Sequence, residues 1–281
     1  MTVQQLIFHI AKCVTENIRI IFSRPVKAAA DGVILKANRT YTAYDVTGDG
    51  MKDKIRIRAA NQTDDEAYTS LTVSVNGKTA YRLKNTRFYN VIANIYTLKN
   101  GQPFLYLYAP AENGDGPVCA LLKYTNGKFR KALDFTEIMA GYGNHRIGEV
   151  TNLNGNKIVI TESIVSYSLG INAINFTYKY VNGKFVPTSK YGSYKEIYSA
   201  DGSSRYFTVN SDLPAYARPG ATAVNTTLKT GSLTKIIKCA LINGKMYIQL
   251  ECDGEIYWIK ALENPPISDN ERQFMEVRYA G

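Results

Sequence analysis

The residues best placed to do chemistry lie in one short loop, Asp45-Val46-Thr47-Gly48-Asp49-Gly50-Met51-Lys52-Asp53. Calcium is a hard cation that gathers roughly six to eight oxygens at about 2.3–2.6 Å. A tight loop can present oxygens at alternate positions. Here those are Asp45, Thr47, Asp49, the Met51 carbonyl and Asp53, and Gly50 permits the sharp bend between them. Arg56 stands where an EF-hand needs its bidentate glutamate, and Lys54-Ile55-Arg56-Ile57 reads as a strand, so no helix-loop-helix follows. Glu112 to Gly116 and Asn152 to Asn156 carry only fragments of the pattern, which gives an expectation of one structural Ca2+ per chain. The alternative is a polar β-turn whose aspartates satisfy nearby backbone amides.

Catalytic devices are hard to assemble from this chain. It has 2 histidines, His9 and His145, and His145 follows Gly141-Tyr142-Gly143-Asn144 with no nucleophile beside it. Cys13, Cys119, Cys239 and Cys252 match no zinc spacing. With Asn243-Gly244 as a hairpin turn, Cys239 faces Ile248 and Cys252 lies beyond it, which argues against a bridge. There is no phosphate-cradling glycine loop and no His-Glu-x-x-His. A glycosidase carboxylate pair is a matter of spatial separation and stays open.

The elements that must position the loop are strands. Four turns repeat one signature: Asn76-Gly77-Lys78, Asn126-Gly127-Lys128, Asn182-Gly183-Lys184 and Asn243-Gly244-Lys245. Asn-Gly suits the type I′ hairpin, which needs positive φ at both central residues. The first three follow apolar or aromatic strands (Leu71–Val75, Ala120–Tyr124, Phe176–Tyr180), and a spacing near fifty residues is that of propeller blades. Three units are expected at about 41–84, 89–133 and 146–188. A meander sandwich is the competing arrangement.

The Asp45–Asp53 loop resembles those of the VCBS and FG-GAP repeat families, in which acidic nine-residue calcium loops join propeller strands. Residues 205–262 resemble the bacterial SH3-like domain. There Leu228-Lys229-Thr230-Gly231-Ser232-Leu233-Thr234-Lys235 stands for the turn before the long strand, and Gly254 to Lys260 for the closing strand. The resemblance implies an all-β chain: a propeller-like array of about three four-stranded repeats over 31–195, then a small SH3-like barrel, then a tail at 263–281. It also implies export from a Gram-positive bacterium and contact with cell wall. Tyr216, Tyr247, Tyr257 and Trp258 are the aromatics that could line a ligand groove, with a place in the core as the alternative for each.

Residues 1–30 read either as a degenerate export signal ending in Ala28-Ala29-Ala30 or as an amphipathic helix; no apolar run is long enough to span a membrane. The net charge of +10 admits nucleic acid, anionic membrane or anionic wall polymer. The basic residues form no tract, which disfavours nucleic acid. Tyrosine, at 21 against 10 Phe and 1 Trp, suits half-buried sheets and binding surfaces. The expected function is a secreted or cell-surface, calcium-stabilised, non-enzymatic binding module for cell wall, glycan or a surface protein. The alternatives are a wall-acting glycosidase or enzyme accessory, and a structural protein that assembles into homo-oligomers.

Overall fold

In the computed structural model residues 33–278 are described, apart from 113, 200, 201 and 204. The export-signal or helix reading of 1–30 lies outside the described residues. The described chain is all-β, and its helical elements are the single 3-10 turns Phe135–Glu137 and Asp269–Glu271. Among the described residues no helix is long and apolar enough to cross a membrane.

The hairpins form where the turn chemistry places them. Asn76 and Gly77 take φ of 50° and 79°, Asn126 and Gly127 51° and 79°, Asn182 and Gly183 48° and 91°, Asn243 and Gly244 51° and 74°. Both central residues are left-handed in each case, as a type I′ turn requires. Asp253 and Gly254, at 51° and 81°, make a fifth turn of the same kind.

Strand β1 (Val33–Leu35) precedes a four-stranded meander of β2 (Thr40–Tyr44), β3 (Asp53–Gln62), β4 (Tyr68–Val75) and β5 (Lys78–Phe88). The second sheet is the meander β6 (Ile92–Thr97), β7 (Pro103–Ala109), β8 (Val118–Thr125) and β9 (Lys128–Asp134), with β1 added beside β6. A third meander follows: β10 (Gly143–Asn154), β11 (Lys157–Ser166), β12 (Gly170–Val181) and β13 (Lys184–Pro187). Its sheet does not stop there. β14 (Tyr191–Ser199) pairs with β12 on one side; the short strands β15 (Gly202–Ser203), β16 (Tyr206–Thr208), β17 (Leu213–Ala215) and β18 (Thr226–Leu228) follow it in the chain, and on its other side β14 pairs with β19 (Leu233–Ile242), with β20 (Lys245–Cys252) and β21 (Glu255–Lys260) continuing the order. The ladder thus runs unbroken from the third repeat unit into the strands of residues 205–262. No sheet closes on itself among the described residues.

Period-two alternation explains how the sheets stack. Phe104, Tyr106, Tyr108, Cys119 and Leu121 belong to the main core shared with the third sheet. Leu105, Leu107, Ala120 and Leu122, their neighbours in sequence, belong to the core shared with the first sheet. The second sheet is therefore buried on both faces, while the first turns one face outward and the third is covered in part on its outer face too.

The second and third sheets approach closely at Gly148. A Cβ there would lie 1.9 Å from Phe135 Cδ1 and 2.5 Å from a Glu162 carboxylate oxygen. Gly148→Ala is expected to destabilise the protein by about 1–3 kcal/mol through overpacking, read as a shifted urea midpoint with an unchanged slope.

Candidate functional site

The Asp45–Asp53 loop joins β2 to β3. Asp53 is buried, at 1% exposure. Its Oδ2 accepts from the amides of Val46 at 2.7 Å and Thr47 at 2.9 Å. Its Oδ1 accepts from Asn76 Nδ2 at 2.6 Å and the Thr47 hydroxyl at 3.3 Å. Asn76 is the first residue of the first Asn-Gly turn, and its own Oδ1 accepts from the Lys54 amide at 2.8 Å. One buried carboxylate thus fastens the loop to the neighbouring hairpin.

Asp45 closes the other half of the loop. It accepts from the amides of Gly48 at 2.6 Å and Gly50 at 2.8 Å, and from the Thr47 hydroxyl at 3.2 Å. Desolvation is the largest single influence and opposes ionisation, but those amides, the hydroxyl and the Asp49 amide together outweigh it and hold the Asp45 carboxyl below the usual aspartate value. Asp49 is exposed and accepts only from the Met51 amide, at 2.8 Å. The Met51 side chain is 68% exposed.

A calcium ion needs oxygens with free lone pairs. An ionised carboxylate offers about four acceptor positions, and three of those of Asp53 take N–H donors, while the single Thr47 hydroxyl proton is shared between Asp53 and Asp45. Among the described residues no group of three or more His, Cys, Asp or Glu is arranged to hold a metal. Of the expected set Asp45, Thr47, Asp49, Met51 and Asp53, the carboxylates of Asp45 and Asp53 are thus engaged by protein donors, while Asp49 accepts a single local amide. This is the hydrogen-bonding pattern of a polar turn closed by its own amides.

The loop also forms one wall of a cleft of about 730 Å³ between the first two sheets. Tyr44, Asp45 and Thr47 face Thr97, Asn100 and Gln102 across it, with Lys123, Tyr124, Thr125 and Asn126 completing the lining. The cleft combines hydroxyls, planar amides and two tyrosines. Asp45 is the single carboxylate in its lining, and its oxygens are already engaged.

The C-terminal aromatics are placed differently from the expected groove. Tyr216, Tyr247 and Trp258 are buried, and with Ala240 they form a small separate core on the outer side of the third sheet. Tyr216 and Trp258 exchange backbone hydrogen bonds of 2.7 and 2.9 Å. Tyr257 points the opposite way and packs against the main core. Alternation along β21 forces this, because neighbours on a strand cannot share a face. Tyr191 is the ring left partly open above Trp258, at 5.9 Å between centroids. Lys238 Nζ lies 4.6 Å from the Tyr191 ring, and Lys260 Nζ lies 5.1 Å from that of Tyr216.

The described cysteines, His145 and Glu162 are each buried or engaged. The three described cysteines are unpaired and buried. Burial pushes the Cys119 thiol far up and that of Cys239 up to about 12, so neither supplies a thiolate at neutral pH. His145 Nδ1 sits 3.2 Å from the Asp115 carboxylate. Glu162 is fully buried in β11, and neither of its oxygens has a hydrogen-bond partner within the protein. Burial pushes its carboxyl well above the ordinary glutamate value, with Arg146 opposing and Asp134 adding to the rise. Sequence reasoning passed over Glu162, yet it shares its parity along the strand with the buried Ile158, Ile160 and Ile164. No family model, no curated protein and no solved structure matches this chain.

Proposed function

We propose that this chain is a non-enzymatic binding module acting outside the cell, and that it holds a hydroxyl-rich polymer such as cell-wall glycan in the cleft between its first two sheets. The observation that carries this reading is the lining itself. Amides and hydroxyls from Thr47, Thr97, Asn100, Gln102, Thr125 and Asn126 surround Tyr44 and Tyr124. Sugars are recognised by such hydrogen-bonding groups beside aromatic rings, and a few placed polar groups fix the orientation of a ligand. Glycoside hydrolysis requires two carboxyl groups across the scissile bond, and the lining offers only Asp45. That favours binding over the glycosidase alternative. The propeller-type relationship is part of the proposal, supported by three consecutive four-stranded meanders; the SH3-like one is carried by the sequence match at Leu228 to Lys235 and Gly254 to Lys260 alone. The reading does not depend on calcium, because the Asp45 and Asp53 carboxylates bond to donors of the protein itself.

The test is retention of the protein on insoluble Gram-positive cell wall, with calcium and with chelator. The parent is expected to bind equally in both, and Thr97→Ala/Gln102→Ala/Thr125→Ala to bind about tenfold or more weakly, from lost polar contacts. Equal retention of parent and variant would remove the cleft from the reading. Release of soluble sugar would replace it with the enzymatic alternative. Calcium-dependent retention would restore the ion to the loop.

A further inference from the structure

The outer face of the first sheet carries a grid of cations. On β3, Lys54, Arg56 and Arg58 are exposed and alternate with the buried Ile55, Ile57 and Ala59. The register extends this across the sheet. Arg56 stands beside Ser74 and then Thr79; Arg58 beside Thr72 and then Arg82; Ala60 beside Ser70 and then Lys84. The flanking strands thus supply cations and the central strand supplies hydroxyls. None of these ten positions is Asp or Glu.

The grid runs over the edge of its sheet into a second feature. Thr79, Tyr81 and Arg82 of β5 meet Lys128 and Arg130 of β9 around a hollow of about 260 Å³. Lys128 Nζ donates to the Thr79 carbonyl at 2.9 Å, which ties the two sheets together there. Among the described residues the salt bridges involve Arg87, Lys131, His145, Lys229 and Arg272. Arg56, Arg58, Arg82, Lys84 and Arg130 are in none of them. Like charges gathered without counter-charges raise the local potential and draw in an anion.

We infer that this face, with the hollow at its edge, docks a linear phosphate-bearing polymer of the polyol-phosphate or phosphoglycan kind. Side chains two apart on a strand repeat at about 6.7 Å, and strands lie about 4.8 Å apart. Arg56 and Arg58 are thereby spaced like successive phosphates of an extended chain, and Arg82 lies across from Arg58 at about two strand widths. Guanidinium forks hold phosphate oxygens in pairs, and Ser70, Thr72 and Ser74 can donate to the oxygens between. Nucleic acid fits less well. Sequence-tolerant binding of single strands uses aromatic platforms, which the grid lacks, and a flat sheet face has no helix or ribbon to enter a duplex groove. This site stands apart from the cleft, so either can fail without the other.

The experiment uses the full chain and poly(glycerol phosphate) as probe, with single-stranded DNA, duplex DNA and neutral dextran for comparison. Binding is measured by titration at several salt concentrations. Arg56→Gln/Arg58→Gln/Arg82→Gln is expected to weaken binding about tenfold or more and to flatten its salt dependence, with an unchanged circular dichroism spectrum. Lys190→Gln/Lys238→Gln/Lys260→Gln, equal in charge removed but with Lys238 and Lys260 on the third sheet and Lys190 just before β14, is expected to bind as the parent does. Equal losses in both variants would show a net-charge effect and overturn the site. Absence of parent binding to poly(glycerol phosphate), or tighter binding to DNA at matched charge, would also overturn it. If the arginine variant misfolds, Arg58→Lys and Arg82→Lys serve instead. They keep the charge, and loss of the paired fork contacts is then read as several-fold weaker binding.

Discussion

Glu162→Gln is expected to melt at higher temperature than the parent at pH 8 and at the same temperature at pH 4. The buried carboxyl lies among Phe135, Gly148 and the strands of the third sheet with no hydrogen-bond partner, so its charged form is strongly disfavoured. Its folded-state pKa is raised above the unfolded one. Below the ordinary glutamate value both states hold the proton, and nothing is lost. Above it the unfolded chain releases the proton while the folded chain retains it, so stability falls by about 1.4 kcal/mol per pH unit until the folded group ionises. Glutamine copies the neutral form and removes that slope. Melts of both proteins from pH 4 to pH 8 provide the check. Parallel curves would show that Glu162 ionises freely and that the space around it is wet.

The second large effect is expected at Asp53. Asp53→Ala strands the buried Val46 amide and the half-buried Thr47 amide and cuts the tie to the exposed Asn76, whose carboxamide can turn to water. A loss of about 2–4 kcal/mol is expected, chiefly from the stranded backbone donors, which keep their desolvation cost. Asp53→Asn retains one acceptor oxygen and loses less. Asn76→Ala is expected to be non-additive with Asp53→Ala, because the two side chains share one bond. Asp49→Ala touches only a local amide on an exposed turn and is expected to leave the urea midpoint where it was. This ordering separates the turn from a metal loop, where calcium would raise the midpoint and Asp49 would count alongside Asp53.

Much of the architecture is local and was therefore legible. Asn-Gly sets positive φ within two residues, and alternation such as Ile55, Ile57 against Arg56, Arg58 assigns faces within one strand. The turns, the strands of all three meanders and the facing of Cys239 with Ile248 follow from such short-range rules. The pairing of β1 with β6 and the seat of β14 between β12 and β19 join distant segments and leave no local mark. The same limit hid the bond between Asp53 and Asn76. Spacing alone could not show that the Asp45 and Asp53 oxygens accept from the loop's amides and from a hairpin side chain. For the C-terminal aromatics the parity of Tyr257 and Trp258 was available in the sequence. It excludes a groove formed by both.

The doubly buried second sheet has a consequence for synthesis. As the chain emerges, the first two meanders can come together once β9 is complete. They then present Tyr96, Phe104, Tyr106, Tyr108 and Leu121 on a bare apolar wall until the third meander arrives. That interval is the one in which a nascent chain is most prone to sticking to its neighbours. A protein ended after β9 would hold that wall open permanently. The natural outcome for such a truncation is a precipitate, however well formed its first sheet is.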